Sequence, residues 1–297
     1  MTRILGRNAV WGLWLCAAAA GYVEVAPAHA TEVRRVTERV FAFEPGGKIH
    51  VQNRNGRLTV EAWSKPEVRV QITRSVRAGD AKKAEELLKD LKAEIEIRGD
   101  RLEIVSRFPK RQESYGLWEI LGQKVASLQI HYYLQVPRDV NLALETTNGA
   151  VRVRGARGRI SCTTTNGEVD VAQLEGEVQL VTTNGEIRLR SVAGAANART
   201  TNGSVLAELR SVDPEGDVEL ATTNGNVEIY FPDELKATLE ATTTNGRVAV
   251  SFPLTTEGVM TSKSVRGKIN GGGATVSLTT TNGNIDVRRL GERRSGR

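Results

Sequence analysis

The side chains best suited to chemistry are few and scattered in this chain. After residue 30 it contains two histidines, His50 and His131, and one cysteine, Cys162. Nucleophilic catalysis needs a base beside a serine or cysteine, and neither histidine stands in such a motif. A metal site needs clustered ligands, which three isolated residues do not supply. We therefore expect no catalytic residue, no cofactor and no metal, with Cys162 as a buried, inert thiol.

Paired carboxylates are the second candidate for catalysis, because some parallel β-helices cleave polysaccharides with paired acidic residues. Four positions after each repeated turn described below, an outward column is predicted to contain Arg152, Asp170, Arg188, Leu206, Glu228 and Ala249. Opposite charges at successive positions of this column predict a charge ladder. Glu168 and Glu186 stack as like charges and are the acidic pair to probe. A polysaccharide-active enzyme thus stays open as the alternative to a non-enzymatic protein.

The segment 107–127 is the remaining candidate for binding. Aromatic rings beside cations suit sugar faces or a protein partner, and this connection is too long for a plain loop. Its candidate residues are Phe108, Lys110, Arg111, Tyr115 and Trp118. The alternative is a loop packed against the protein by apolar anchors, which are Trp118, Ile120 and Leu121.

A tandem repeat predicts the elements that position these residues. The tetrapeptide Thr-Thr-Asn-Gly begins at Thr146, Thr164, Thr182, Thr200, Thr222, Thr243 and Thr280. The intervals are 18, 18, 18, 22, 21 and 37 residues, and the last contains a degenerate copy at 264–267. A period near 20 with a fixed internal pattern is typical of stacked repeats, in which no unit buries its apolar face alone.

One repeat, residues 177–194, shows the internal pattern. Val178 and Leu180 alternate with polar positions before the turn at Asn184-Gly185, and Ile187 and Leu189 alternate after it. A period of two predicts two half-buried strands per repeat. The expected fold is therefore all-β, a parallel β-solenoid with coils of about 18–22 residues.

An antiparallel meander is the competing arrangement, because Asn-Gly between alternating strands is also a hairpin signal. The identical turns favour the solenoid, in which like side chains stack about 4.8 Å apart and bond to each other. On that geometry the turn asparagines form an internal amide ladder, with the first threonine of each motif facing inward. The predicted ladder consists of Asn148, Asn166, Asn184, Asn202, Asn224, Asn245 and Asn282.

The N-terminal region follows the same pattern with insertions. Residues 49–63 superpose on residues 178–192 with a constant offset of 129, so residues 46–63 predict a first coil. Val68, Val70 and Ile72 predict the start of another. Residues 80–91 predict a helix, with Asp80 as the N-cap and an apolar face that covers an open end of the solenoid. A strand pair across Gly99-Asp100 follows.

These motifs together resemble the DUF4097 family of adhesin-like bacterial β-strand repeat proteins. The resemblance rests on residues 46–51 (Gly-Gly-Lys-Ile-His-Val), on Asn55-Gly56, on residues 67–70 (Glu-Val-Arg-Val) and on the tandem repeats. It covers residues from about 41 to 290. It implies a β-solenoid of the cell envelope and no established reaction, and the name adhesin rests on architecture rather than on a site.

The N-terminal segment predicts that the protein is exported. Residues 1–30 have the basic start, apolar run and Ala28-His29-Ala30 site of a cleavable signal, with an uncleaved anchor as the alternative. Cleavage lowers the net charge from +6 to +5, because Arg3, Arg7 and Glu24 leave. We expect regions at 31–140, 141–290 and a basic tail at 291–297. The expected partner is an envelope protein or polysaccharide, with no nucleic acid and at most peripheral membrane contact; the oligomeric state stays open.

Overall fold

The computed structural model describes residues 31–109, 127–214, 216–256 and 260–292. The predicted signal therefore lies outside the described residues. The strands of the N-terminal part are β1 (Thr31–Ala42), β2 (Lys48–Gln52), β3 (Leu58–Trp63), β4 (Glu67–Ala78), β5 (Lys92–Arg98), β6 (Arg101–Arg107) and β7 (Ser127–Pro137). The single helix among the described residues is α1 (Ala81–Asp90).

The remaining strands form the repeat region. They are β8 (Asn141–Asn148), β9 (Val151–Arg154), β10 (Arg157–Asn166), β11 (Val169–Asn184), β12 (Ile187–Ala193), β13 (Ala196–Asn202), β14 (Val205–Ser211), β15 (Val218–Asn224), β16 (Val227–Phe231), β17 (Ala237–Asn245), β18 (Val248–Val250), β19 (Thr255–Thr256), β20 (Ser264–Ile269), β21 (Ala274–Asn282) and β22 (Ile285–Arg289). A 3₁₀ turn, Leu290–Glu292, ends the described chain.

Successive repeats pair in parallel, so the solenoid prediction is confirmed and the meander is excluded. Each coil gives one strand to each of two facing sheets, and the Thr-Thr-Asn-Gly motif turns the chain between them. Sheet A has the order β5-β6-β2-β8-β10-β11-β13-β15-β21-β17-β20-β19. Sheet B has the order β1-β4-β7-β3-β9-β11-β12-β14-β16-β22-β18.

The core lies between the two sheets and follows from the alternation in the sequence. Val178, Leu180, Ile187 and Leu189 point inward and expose at most 1% of their surface. Their counterparts on every coil join them in one hydrophobic cluster that runs from Phe43 to Val287. A continuous core of this kind is what makes each coil depend on its neighbours.

The coils are not stacked in chain order at either end. The C-terminal coil, β21 and β22, lies between the coil of β15 and β16 and the coil of β17 and β18. Likewise the coil of β2 and β3 lies between the pair β6 and β7 and the coil of β8 and β9. Residues 46–63 therefore form a coil as predicted, but an internal one.

Antiparallel strands finish both ends of the stack. The segment that begins at Val68 was expected to open another coil, but it belongs to β4, which runs antiparallel to both β1 and β7. The degenerate copy at 264–267 is also no coil, because β20 runs antiparallel to β17. Neither segment contains the Thr-Thr-Asn-Gly motif that turns the chain from one sheet to the other in the coils.

The predicted helix is present and packs on β4 and β1. Asp80 Oδ1 accepts a hydrogen bond from the Lys83 backbone N–H at 2.8 Å, as an N-cap should. Ala84, Leu87 and Leu88 are buried against the end of the core. The strand pair across Gly99-Asp100 is also present, as β5 and β6. In the described part of the chain, no helix is long and apolar enough to cross a membrane.

Candidate functional site

The first threonine of the repeated motif is an internal stacking residue. Thr182 is buried, and its hydroxyl donates to Gly167 O of the neighbouring coil at 3.1 Å. Equivalent bonds of 2.8–3.2 Å are made by Thr164, Thr200, Thr222, Thr243 and Thr280. The buried Thr146 hydroxyl has no partner in the described chain. On the adjacent coil Asn53 Nδ2 donates to the equivalent carbonyl, Gly56 O, instead.

The turn asparagines stand in one hydrogen-bonded column. Asn184 Nδ2 donates to Asn166 Oδ1 at 2.8 Å and Asn184 Oδ1 accepts from Asn202 at 2.8 Å. The column runs through Asn148, Asn166, Asn184, Asn202, Asn224, Asn282 and Asn245 in that order. All seven side chains are exposed. The ladder was expected to be internal; it lies at the solvent-facing corner, because the turn bends away from the core there.

The motif glycine is required by close approach between coils. A Cβ at Gly185 would lie 2.0 Å from Gly167 O, and a Cβ at Gly167 would lie 2.0 Å from Gly149 O. Real side chains do not tolerate such contacts with backbone. The motif glycines Gly203 and Gly225 also have positive φ, 154° and 157°. The second threonine is exposed and points away from the core. The other three motif residues, the first threonine, the asparagine and the glycine, contact the neighbouring coil.

The charged columns on sheet B pair differently from the prediction. Asp170 does lie between Arg152 and Arg188 in register, but its carboxylate binds Arg190, with Nη2 to Oδ2 at 2.5 Å. This hydrogen bond raises the pKa of Arg190. The pairing is therefore diagonal rather than directly across the coils.

Arg188 lies beside the acidic pair that was the candidate for catalysis, Glu168 and Glu186. Its guanidinium binds both Glu168 and Glu186, so the like charges are bridged rather than left facing each other. A glycosidase uses one carboxyl group as an acid and the other as a base or nucleophile. Glu168 and Glu186 bind the same guanidinium, so the structure does not give them the contrasting environments that this division of roles requires.

His50 and Cys162 lie on strands β2 and β10. His50 on β2 lies between two carboxylates, with Nε2 3.4 Å from Glu145 and Nδ1 3.9 Å from Glu103. Cys162 is fully buried, and burial raises the pKa of its thiol to about 12, so it is held as the unreactive thiol. No group of three His, Cys, Asp or Glu side chains could hold a metal ion within the described ranges.

A broad groove crosses the outer face of sheet A near His50. Its volume is about 680 Å³, and its lining includes Lys48, Arg101, Ser161 and Glu177. Arg159 binds Glu177 at 2.7 Å, and Glu103 faces His50. The groove thus mixes both signs of charge, and it can offer hydrogen bonds to a polar surface without an isolated acidic pair.

The structure describes only the two ends of the predicted binding loop. Phe108 is partly buried and packs against the hydrophobic core. Lys110, Arg111, Tyr115 and Trp118 lie outside the described residues. Of the basic C-terminal residues, Arg288 lies 3.4 Å from Glu228 and Arg289 lies 3.6 Å from Asp233.

Two facing sheets built from stacked coils define a β-solenoid, and the repeated corner motif defines its class. The family model described as Toastrack DUF4097 matches residues 138–288, just over half of the chain. The chain therefore belongs to the Toastrack DUF4097 family, and the resemblance identified from its motifs is confirmed. A comparison with curated proteins found no match.

Solved structures with a related arrangement share little sequence with this chain. One is described as a candidate cell adhesion protein from Clostridium sporogenes; it is 13% identical, with a TM-score of 0.30, covering 86% of this chain and 100% of that one. Another is described as a candidate adhesin from Bacteroides fragilis; it is 10% identical, with a TM-score of 0.36, covering 86% of this chain and 97% of that one. At these scores the likeness carries no argument about function.

Proposed function

We propose that this chain is an exported, non-catalytic β-solenoid of the cell envelope that acts as an adhesin-like binding or scaffold element. The supporting observation is the use of the repeated motif. Thr182, Asn184 and Gly185 each contact a neighbouring coil, so the repetition serves to build a rigid stack. A rigid stack with polar outer faces presents surfaces for binding.

The alternative is a polysaccharide-active enzyme. The carboxylates that would carry it, Glu168 and Glu186, are both held by Arg188. The test incubates residues 31–297 with envelope polysaccharides and measures both co-sedimentation and new reducing ends. We expect co-sedimentation without cleavage. Cleavage that is abolished by Glu168→Gln or Glu186→Gln would overturn the proposal and establish the enzyme.

Export has a separate test. The sequence predicts cleavage after Ala30, so the mature protein should begin at Thr31, the first residue of β1. We expect cell fractionation to place the protein outside the cytoplasm, and mass spectrometry of its N-terminal peptide to start at Thr31. A full-length cytoplasmic protein would contradict the envelope role.

A further inference from the structure

A second cleft lies on the outer face of sheet B at its N-terminal end. It crosses four neighbouring strands in the order β1, β4, β7 and β3 and has a volume of about 370 Å³. Thr73 and Ser75 of β4 line its floor, and Arg34 of β1 and Arg57 of β3 line its two sides.

The floor carries two hydroxyl groups that lack a protein partner. Thr73 and Ser75 point outward from the sheet, yet they expose only 7% and 8% of their surface. Neither hydroxyl makes a hydrogen bond to another residue in the described chain. Both hydroxyls line the cleft, where a bound group can satisfy them.

The sides of the cleft carry two arginines without carboxylate partners. Neither Arg34 nor Arg57 forms an ion pair with a residue that the structure describes. The acidic residue in the lining, Glu32, binds Arg77 at 3.3 Å. Arg188 and Arg190, by contrast, bind carboxylates of neighbouring coils. The cleft therefore presents positive charge that the protein itself does not neutralise.

His131 adds a donor between the two arginines. It lies opposite Thr73 in register, and its Nδ1 accepts the Arg57 backbone N–H at 2.9 Å. In a neutral ring the proton is then on Nε2, which becomes a donor. Burial, together with the charges of Arg57 and Arg34, lowers the pKa of His131. The ring is therefore neutral at pH 7, and it can donate from Nε2 without adding a positive charge.

We propose that this cleft binds a tetrahedral oxyanion, a phosphate or sulfate group carried by a larger ligand. Strands about 4.8 Å apart place the backbones of β1 and β3 about 14 Å apart, and the long side chains of Arg34 and Arg57 both line the cleft between them. Guanidinium groups from two sides and hydroxyls from below suit an anion with oxygens in several directions. The proposal deepens the binding role above, because it names the chemistry of the ligand.

Calorimetric titration with inorganic phosphate and sulfate tests the cleft directly. Residues 31–297 should bind both anions saturably. The double variant Arg34→Gln, Arg57→Gln should bind at least tenfold more weakly, and Thr73→Val should bind severalfold more weakly. Arg39→Gln is the matched control, because Arg39 also lies on β1 but does not line the cleft; its affinity should stay within twofold. Thermal unfolding of each variant verifies that it folds.

The absence of saturable binding to either anion would overturn the proposal, as would equal weakening by Arg39→Gln. Two further arms identify the source of the anion: glycerol 3-phosphate, and vesicles of phosphatidylcholine with or without phosphatidylglycerol. Vesicle binding that the double variant loses assigns a lipid headgroup. Binding of the soluble anions without vesicle binding assigns a free or polymer-borne group. The envelope role fails separately, if the protein is cytoplasmic or cleaves polysaccharide.

Discussion

At the scale of single residues, the repeated tetrapeptide is a packing device. The buried threonine and the glycine form one contact between coils, since Thr182 donates to Gly167 O and a Cβ at Gly185 would strike the same atom. The asparagine adds a second contact at the exposed corner. The motif therefore recurs because every corner packs on a copy of itself, which is why it carries no information about a ligand.

The glycine should be the least replaceable member of the motif. Gly185→Ala places a Cβ 2.0 Å from Gly167 O, and two backbones must separate to relieve this contact. We expect the free energy of unfolding to fall by about 3 kcal/mol or more, measured by urea denaturation. Gly79→Ala is the control, because a Cβ there meets nothing within 4 Å. Similar small losses in both variants would contradict the close-packed corner.

The asparagine should matter less, because its column is exposed. Asn184→Ala removes one donated and one accepted hydrogen bond, and we expect it to cost about 1–2 kcal/mol. Thr183→Ala changes an exposed side chain on the same turn and should cost less than about 0.5 kcal/mol. Urea denaturation compares the two variants. If Asn184→Ala is as harmless as Thr183→Ala, the ladder does not stabilise the stack.

Local periodicity explains what could be predicted at this scale. The period of two places Thr182 inward and Thr183 outward, and the recurrence of asparagine predicts a column. The period of two does not predict which atoms a long side chain contacts. Arg188 therefore binds Glu168 and Glu186 rather than Asp170, and the proposed oxyanion cleft depends on strands that are far apart in sequence.

At the scale of elements, the sequence defines each coil but not its neighbours. The Asn-Gly corner and the alternation lie within about 20 residues, so the strands were predictable. Stacking order is a long-range choice among coils with almost identical corners. Nothing in residues 274–289 distinguishes a terminal coil from an inserted one, and only the structure shows that β21 lies between β15 and β17.

The inserted coil should be indispensable. Deletion of residues 274–297 removes a layer from inside the stack and leaves the inner edges of two coils, at β15 and β17, without their parallel partner. We expect the cooperative thermal transition, measured by circular dichroism, to be lost or strongly lowered. Deletion of residues 293–297 alone is the control and should leave the transition unchanged. A shortened chain that unfolds like the full one would show that the C-terminal coil is peripheral.

At the scale of the whole molecule, the two inserted coils join the ends of the chain to the body of the stack. A solenoid stacked in chain order can grow coil by coil from any point. Here the coil of β17 and β18 reaches its place only when β21 and β22 occupy the layer between. The molecule should therefore fold and unfold with more cooperativity than its repeats alone imply, and its outer faces, including the proposed oxyanion cleft, are rigidly placed.

Engineered disulfides test this stacking order most directly. Thr223→Cys combined with Thr281→Cys places thiols on adjacent coils, with Cα atoms about 5 Å apart, within the range for a disulfide. Thr223→Cys combined with Thr244→Cys places them two layers apart, at about 10 Å, which is too far. We predict that mild oxidation, followed by peptide mapping, yields the 223–281 bridge and no 223–244 bridge. Formation of the 223–244 bridge instead would show stacking in chain order and contradict the inserted coil.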